Sequence, residues 1–381
     1  MNSFARPVSV PVDQRELVPF RQVPVRGSAT IAERLPADTS FSNFSREKAA
    51  ILAAQPRVLD LTETNVVRAL ARIRPDPVAL DLPDRAHRCH LAEFWLELFS
   101  LPTSWKPRVL VSQGVRHSLR LLFTVYAASG RRVLLPDHVY PVYADIADTA
   151  RLSWQTYPTL PRLEFRGLDD ADVLLLCHPV KPLGAFLSSS ELASIKAWLV
   201  GDQRRRVLID AVYTFGTSFE PSALELIGTG QAILLHSLSK GWVHPNVTGV
   251  ALVADADIEQ LTPVFRESPP PGENLRLAHA LLTQASDFPD TLQAELAFAE
   301  ERLRDVLAQR GVAMPGAEGC PPRYLFVLQT DWRELLDRHG VLALPASVFG
   351  SPLPWYSVVS SLPLTVGVGG SVLRYDSRVP A

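Results

Sequence analysis

Short apolar runs alternate with amphipathic stretches along the middle of the chain. Most runs are continuously apolar, which is typical of strands buried on both faces of a parallel sheet. The stretches between them repeat apolar residues at helical spacing. The pattern therefore predicts an α/β fold in which helices cover both faces of a mostly parallel sheet. Strands are expected at 109–111, 132–135, 173–177, 207–209, 232–236 and 250–253, and helices at 85–99, 116–128, 142–149 and 190–200.

Proline-rich segments divide the chain into three predicted parts. Residues 1–56 predict an extended N-terminal arm that has one short helix near 44–54 and belongs to a smaller domain. The large α/β domain is expected over 57–268, and the run Pro269-Pro270-Pro271-Gly272 predicts a linker. A smaller α+β domain is expected over 275–381. Its predicted elements are a long helix at about 290–310 and strands at 324–328 and 371–374.

Composition indicates a globular protein. Of 381 residues, 47% are hydrophobic and 20% are charged, with a net charge of -2. Nucleic-acid and membrane-surface binding need a basic surplus, so neither partner is expected. No apolar run approaches the roughly 20 residues of a membrane span, and three scattered cysteines favour a reducing compartment. We expect a cytoplasmic protein without a metal, and we interpret His87 and His90 as an ordinary helix surface.

The most informative residues are an aspartate and a lysine that follow predicted strands. Lys240, one of only five lysines, comes after Ser237-Leu238-Ser239 and can form a Schiff base with an aldehyde cofactor. Asp210 can hold a pyridine nitrogen protonated, so that the ring accepts the electrons of a substrate carbanion. Tyr213 can reach a ring hydroxyl. An aspartate at the end of a strand is also a common turn cap. The prediction therefore depends on the occurrence of Asp210, Tyr213 and Lys240 together in this order, and not on any one of them.

Further candidates lie where other predicted strands end, which is where ligands bind in parallel α/β sheets. Gln113-Gly114-Val115 precedes a helix whose free N–H groups suit a phosphate. The hydroxyls of Ser237 and Ser239 suit the same phosphate, although both also fit a solvated turn. Tyr140 is placed to stack on a planar cofactor, or to pack in the core. We expect these residues to bind the cofactor together with Asp210, Tyr213 and Lys240.

Together these motifs resemble those of fold type I PLP-dependent enzymes, in particular the class I/II aminotransferase group. The resemblance covers about residues 57–376, and it is carried by Leu59-Asp60-Leu61, Ser112-Gln113-Gly114, Tyr140, Asp210-x-x-Tyr213, Ser237-x-Ser239-Lys240 and Val372-Leu373-Arg374. It implies the aspartate aminotransferase-like fold, with pyridoxal 5'-phosphate as cofactor. It also implies a homodimer with the active site near the subunit interface, and a bidentate grip of Arg374 on the substrate carboxylate.

Two departures from the family pattern stand out. Lys181 occupies the place of an asparagine that normally bonds the ring oxygen and the substrate carboxylate. A cation at Lys181 can stabilise a ring phenolate or bind an acidic substrate, but it cannot accept a hydrogen bond. The family also places a phosphate-binding arginine after the lysine, where this chain has Asn246-Val247-Thr248-Gly249. Arg116, in the first turn of the helix after Gly114, is the expected replacement.

Three functions are compatible with these residues. The leading hypothesis is an aminotransferase that acts on an amino-acid-like substrate. A second is a related cofactor chemistry, such as β- or γ-elimination, replacement, cyclisation or oxidation, in the biosynthesis of specialised amino-acid-derived products. A third is a non-catalytic protein that retains the fold. Neither G-x-S-x-G nor HExxH occurs in the sequence, which disfavours a serine hydrolase and a zinc protease.

Overall fold

The structure, a computed structural model, describes residues 37–78, 83–139, 142–160, 162–245, 248–314 and 323–365. Its strands, in chain order, are β1 (Leu59–Asp60), β2 (Val109–Ser112), β3 (Arg132–Pro136), β4 (Ser153–Tyr157), β5 (Val173–Cys177), β6 (Arg206–Asp210), β7 (Ala232–Ser237), β8 (Gly249–Leu252), β9 (Leu325–Leu328), β10 (Val341–Leu342), β11 (Leu344–Pro345) and β12 (Ser357–Ser360).

Its α-helices, in chain order, are α1 (Ala37–Ala54), α2 (Val66–Ala69), α3 (Asp84–Leu98), α4 (Val115–Ala128), α5 (Val142–Thr149), α6 (Ser189–Gly201), α7 (Pro221–Gly228), α8 (Leu238–Gly241), α9 (Ile258–Glu267), α10 (Gly272–Gln284), α11 (Phe288–Gln309) and α12 (Trp332–His339).

A seven-stranded sheet, in the order β2-β8-β7-β6-β5-β3-β4, forms the centre of the larger part of the fold. Strands β7, β6, β5, β3 and β4 pair in parallel, whereas β8 is antiparallel to both β2 and β7. All six predicted strands of this part are confirmed. Strand β4 was missed because Ser153–Tyr157 mixes exposed polar and buried aromatic residues at the edge of the sheet.

Helices cover both faces of this sheet, as the hydrophobic pattern predicts. Helix α4 buries Leu119, Leu122 and Phe123, which are spaced for one helical face. Helix α6 begins with a capping box in which the Ser188 side chain accepts from the Glu191 N–H and the Glu191 carboxylate accepts from the Ser188 N–H. The predicted helices at 116–128, 142–149 and 190–200 are confirmed as α4, α5 and α6, within two residues at each end.

A smaller group of strands and helices packs beside the seven-stranded sheet. Strands β11, β12 and β9 form an antiparallel sheet, and β1 pairs in parallel with β10. The predicted strand at 371–374 lies outside the described residues. The predicted domain boundaries remain predictions, although β1, placed in the larger domain, pairs with β10 of the smaller group.

The N-terminal arm was predicted to be extended apart from a short helix near 44–54. The predicted helix is present but longer, because α1 is an 18-residue helix that begins at Ala37; an extended conformation is therefore wrong for residues 37–43. The Phe44 ring lies 5.7 Å from that of Trp332, edge to face, and Arg333 donates to Glu47 at 2.8 Å. These contacts place α1 against α12 in the smaller group.

His87 does not lie on an ordinary helix surface, so that interpretation is wrong. Its side chain is fully buried between α3 and α10, and its Nδ1 lies 2.9 Å from Nδ1 of His279. The sequence pattern did not predict α10, which covers this face of α3. No group of three or more His, Cys, Asp or Glu side chains in the described residues is arranged to hold a metal ion. None of the described helices combines the length and the apolar character needed to cross a bilayer.

Strand β6 is anchored at its first residue by a buried ion pair. Arg206 donates to both carboxylate oxygens of Asp257, at 2.7 and 2.9 Å, and both side chains are buried. Arg206 also donates to the backbone oxygens of Gln203 and Arg205. Because Asp210 is the last residue of the same strand, this pair fixes the position of the strand end that carries the predicted site.

Asp257→Asn is expected to lower the free energy of unfolding by about 3–5 kcal/mol, because it leaves the Arg206 charge buried without its partner. Urea unfolding followed by circular dichroism measures the change. The matched control is Glu225→Gln, which removes the exposed pair with Lys196 and should cost less than about 1 kcal/mol. Equal effects of the two substitutions would contradict the anchoring role of the buried pair.

Candidate active site

Four strands of the large sheet end at the same edge, and their last residues lie within two positions of one another in the register. Cys177 of β5 is aligned with Asp210 of β6. Ser237 of β7 is aligned with Gly249 of β8, which in turn is aligned with Ser112 of β2. The sheet therefore brings together residues that are up to 137 positions apart in the chain, Ser112 and Gly249, at the edge where ligands bind in such folds.

Asp210 is a buried carboxylate with two hydrogen-bond donors. Its Oδ1 accepts from the backbone N–H of Val212 at 3.0 Å, and its Oδ2 accepts from the hydroxyl of Tyr143. The residue is 3% exposed, and no cationic side chain of the described residues forms an ion pair with it. The sequence analysis identified Asp210 but missed Tyr143. The only indication of Tyr143 in the sequence is that it follows Tyr140 by three residues.

Two ammonium groups lie close to the ring of Tyr213. The Nζ atom of Lys181 lies 3.6 Å from the ring centroid, and Nζ of Lys240 lies 5.8 Å from it. Neither lysine forms an ion pair with a carboxylate of the described residues. The predicted residues Lys181, Tyr213 and Lys240 are therefore close together, in a part of the site that carries excess positive charge.

These charges act on the phenol of Tyr213. Burial raises its pKa, but the ammonium groups of Lys240 and Lys181 lower it, and the net shift is downward. The ring of Tyr324 lies 5.6 Å from that of Tyr213, and burial raises the pKa of Tyr324 well above its usual range. The two hydroxyls interact electrostatically, but the Tyr324 hydroxyl has no hydrogen bond of ordinary geometry among the described residues. Tyr324 therefore stays protonated as a further donor beside Tyr213.

The predicted phosphate turn contacts the segment that carries Lys240. Gly114 precedes α4 with φ of 115°, a conformation that favours glycine. The Ser237 hydroxyl lies 3.8 Å from where a Gly114 Cβ would stand, and it donates to the Ser239 hydroxyl at 3.0 Å. A Cβ on Gly249 would stand 2.6 Å from the Gly114 Cα. The backbone of β8 therefore touches the turn itself.

The other residues of the predicted phosphate site contribute in different ways. The Val115 side chain is buried in the core, so only its backbone is available to a ligand. The Gln113 side chain donates to the Pro269 carbonyl at 3.2 Å. Arg116 is exposed in the first turn of α4. Tyr140 and Arg374 lie outside the described residues, so their predicted roles remain predictions.

Thr248 is a site residue that sequence reasoning missed. Its backbone oxygen accepts from the N–H of Leu238 at 3.3 Å, which places it beside the Ser237 turn. Its hydroxyl is buried and has no hydrogen-bond partner among the described residues. Buried hydroxyls are normally paired, and we propose below that this one donates to a ligand. The sequence indicates this residue only weakly, because the notable feature of segment 246–249 is the absence of the expected arginine.

Gly249→Ala is expected to displace the Gly114 turn, since the added methyl meets the Gly114 Cα at 2.6 Å and the His236 carbonyl oxygen at 2.8 Å. Backbone atoms cannot rotate away, so the free energy of unfolding should fall by about 1–3 kcal/mol and phosphate-ligand binding should weaken. Thermal unfolding and calorimetry of pyridoxal phosphate binding measure these effects. Gly228→Ala, where no atom lies within 4 Å of the new Cβ, is the control. Normal ligand affinity in Gly249→Ala would contradict the proposed packing.

Comparisons with known proteins extend over most of the chain. A family model described as aminotransferase class I and II matches residues 66–363. A histidinol-phosphate aminotransferase of Chlorobium luteolum is 25% identical over 180 residues, which cover 45% of this chain and 48% of that protein. Another, of Pelodictyon phaeoclathratiforme, is 30% identical over 141 residues, covering 35% and 38% respectively. The chain thus spans about half or less of the length of these curated relatives.

Solved structures show the same fold at low sequence identity. Bna3p of Saccharomyces cerevisiae, a putative kynurenine aminotransferase, has a TM-score of 0.67 with 13% identity, covering 87% of this chain and 93% of its own. A putative PLP-dependent beta-cystathionase of Corynebacterium diphtheriae has a TM-score of 0.57 with 17% identity, covering 79% and 85%. These likenesses confirm the predicted aspartate aminotransferase-like fold. The two proteins are named for different reactions, one as an aminotransferase and the other as a beta-cystathionase.

Proposed function

The chain belongs to the aminotransferase class I and II family, and from this premise we propose that it is a pyridoxal-phosphate-dependent aminotransferase of an amino-acid-like substrate. The observation that carries the proposal is the charge pattern of the site. In the part of the chain that the structure describes, the buried carboxylate of Asp210 has no cationic partner, and it shares one sheet edge with two ammonium groups that have no carboxylate partner, those of Lys181 and Lys240. A ligand with a cationic ring nitrogen and anionic oxygen groups matches this pattern.

The residues fit pyridoxal phosphate group by group. Asp210 would hold the ring nitrogen, and Tyr213 with Lys181 would hold the ring oxygen. The phosphate would be bound by the Gly114 turn, Ser237 and Ser239, with Thr248 and Arg116 as further donors. When it is bound, the cofactor supplies an aldehyde for the substrate amine and a ring that accepts electrons from the substrate carbon.

The side chains of the site have separate tasks in this proposal. Lys240 provides the amine that attaches to the cofactor, and its free amine moves the proton of the substrate α-carbon. Asp210 keeps the ring nitrogen protonated, because a charged carboxylate stabilises a cation beside it. Tyr213, next to the two ammonium groups, stabilises negative charge on the ring oxygen. Arg374 is proposed to bind the substrate carboxylate, and Tyr140 to stack on the ring.

The assembly and location of the protein remain part of the proposal. The resemblance implies a homodimer with the active site near the subunit interface, and a cytoplasmic setting suits the free thiols of Cys89 and Cys177.

Borohydride treatment of the protein loaded with pyridoxal phosphate should fix the cofactor on the peptide that contains Lys240. Lys240→Ala should abolish both the fixation and turnover, because it removes the amine that is proposed to attach to the cofactor and to move the proton. Peptide mass mapping locates the adduct, and the absorbance band of the bound cofactor shows whether the cofactor is attached. Lys196→Ala, an exposed lysine paired with Glu225, should behave as the wild type. An adduct on Lys181 in the wild-type protein would refute this assignment.

A second candidate function is favoured by Lys181. Its ammonium group lies 3.6 Å from the Tyr213 ring centroid, where the family has an asparagine. A cation here stabilises a ring phenolate more strongly than an amide does, and it draws anionic groups into the site. The same residues would then support elimination, replacement, cyclisation or oxidation. A non-catalytic role remains the third alternative.

Lys181→Asn should shift the product ratio towards transamination if Lys181 directs another chemistry. In transamination, an amino acid alone should remove the yellow cofactor band and release one equivalent of 2-oxo acid, and a second oxo acid should restore the band. In the other chemistries the band returns unaided, with ammonia, a leaving group or O₂ consumption detectable. Lys106→Asn, which breaks an exposed pair with Glu93, is the control. Unchanged products and rate in Lys181→Asn would leave ordinary transamination as the proposal.

A further inference from the structure

The carboxylate of Asp210 is contacted by a side chain that comes from a different part of the sheet. Tyr143 lies in the first half of α5, which follows β3, whereas Asp210 ends β6. Strand β5 separates these two strands in the sheet. The Tyr143 hydroxyl reaches across this strand and donates to Oδ2 of Asp210, and it also lies 3.1 Å from Sγ of Cys177, the last residue of β5.

All three side chains are shielded from water. Tyr143 is 6% exposed, Cys177 is 1% exposed and Asp210 is 3% exposed. Burial, together with the charge of Asp210, raises the pKa of Tyr143 well above its usual range, and burial raises the pKa of Cys177 to about 12. Both groups therefore keep their protons at neutral pH, so the phenol remains a donor and the thiol remains neutral.

The direction of the hydrogen bonds follows from the number of protons. Tyr143 has one hydroxyl hydrogen, and an ionised carboxylate can only accept. The hydroxyl hydrogen therefore points to Asp210, and the Cys177 thiol donates to the phenolic oxygen. The second oxygen of Asp210 is occupied by the Val212 N–H. The carboxylate is thus held on both oxygens, which fixes its orientation without neutralising its charge.

We propose that Tyr143, supported by Cys177, is a positioning residue that holds the Asp210 carboxylate oriented towards a protonated ring nitrogen. The inference rests on the proposed function, because it takes the partner of Asp210 to be the pyridine ring of the cofactor. A neutral donor suits this task better than a cation would. A lysine or arginine in the place of Tyr143 would pair with Asp210 and compete with the ring nitrogen for its charge.

Tyr143→Phe tests the proposal, since it removes only the hydroxyl. Hydrogen bonds to a charged group are worth enough that kcat should fall about 10- to 100-fold, with KM much less affected. The ring nitrogen of ¹⁵N-labelled pyridoxal phosphate bound to this variant should shift towards the unprotonated value in NMR spectra. Pyridoxal phosphate should also bind more weakly. A ring nitrogen that stays protonated, with kcat within about 2-fold of wild type, would overturn the inference.

Tyr157→Phe is the matched control. Tyr157 is also a fully buried tyrosine at this sheet edge, and its hydroxyl donates to the Leu175 carbonyl at 2.9 Å, away from Asp210. It should lose similar stability in urea unfolding and leave the ring nitrogen protonated. An equal nitrogen shift in both variants would show a general packing effect and overturn the inference.

Two further variants separate the possible failures. Cys177→Ala keeps the phenol and removes its supporting donor, so it should shift the nitrogen in the same direction by a smaller amount. It serves as the test if Tyr143→Phe does not fold, and no shift in it would then overturn the inference. Asp210→Ala reports on the proposed function. If the ¹⁵N shift of the ring nitrogen changes in neither Asp210→Ala nor Tyr143→Phe, both the proposed role of Asp210 and the inference about Tyr143 are overturned. A response to Asp210→Ala alone overturns only the role of Tyr143.

Discussion

The organisation of the site depends on a buried carboxylate, that of Asp210, which has no cationic partner among the residues that the structure describes. Burying an ionised group is costly unless charge and hydrogen bonds compensate it. In this protein the Tyr143 hydroxyl and the Val212 N–H compensate Asp210 only in part. The strand that carries Asp210 is anchored at its opposite end by the Arg206–Asp257 pair.

The opposite charge is concentrated a short distance away. Lys181 and Lys240 both lie near the Tyr213 ring, at 3.6 and 5.8 Å from its centroid. A ligand that enters this site meets a negative end and a positive end that are already in place. Such preorganised charges stabilise developing charge without the cost of reorienting solvent. The arrangement favours ligands whose own charges are separated in the same way, and it disfavours simple cations or simple anions.

The sequence predicted those parts of the fold and the site that depend on local patterns. Continuous apolar runs identified the central strands, and the strand ends identified Asp210 and Ser237. Strand β4 was missed because its side chains are half polar, and the burial of His87 was missed because α10 has no clear sequence signal. The contact made by Tyr143 could not be predicted for another reason. Its contact with Asp210 depends on the order of strands β6, β5 and β3 in the sheet, which no local pattern encodes.

The missing phosphate arginine has a structural counterpart in the way β8 meets the Gly114 turn. Strand β8 touches this turn at Gly249, and among the described residues the buried Thr248 hydroxyl beside it has no hydrogen-bond partner, so both are proposed to serve the phosphate in the place of the arginine. Backbone N–H groups at a helix N-terminus already favour an anion there. Phosphate binding by short donors costs less side-chain entropy than binding by a flexible arginine. In the proposed function, Lys181 is then not needed to anchor the phosphate, and its ammonium group beside the Tyr213 ring can influence the chemistry instead.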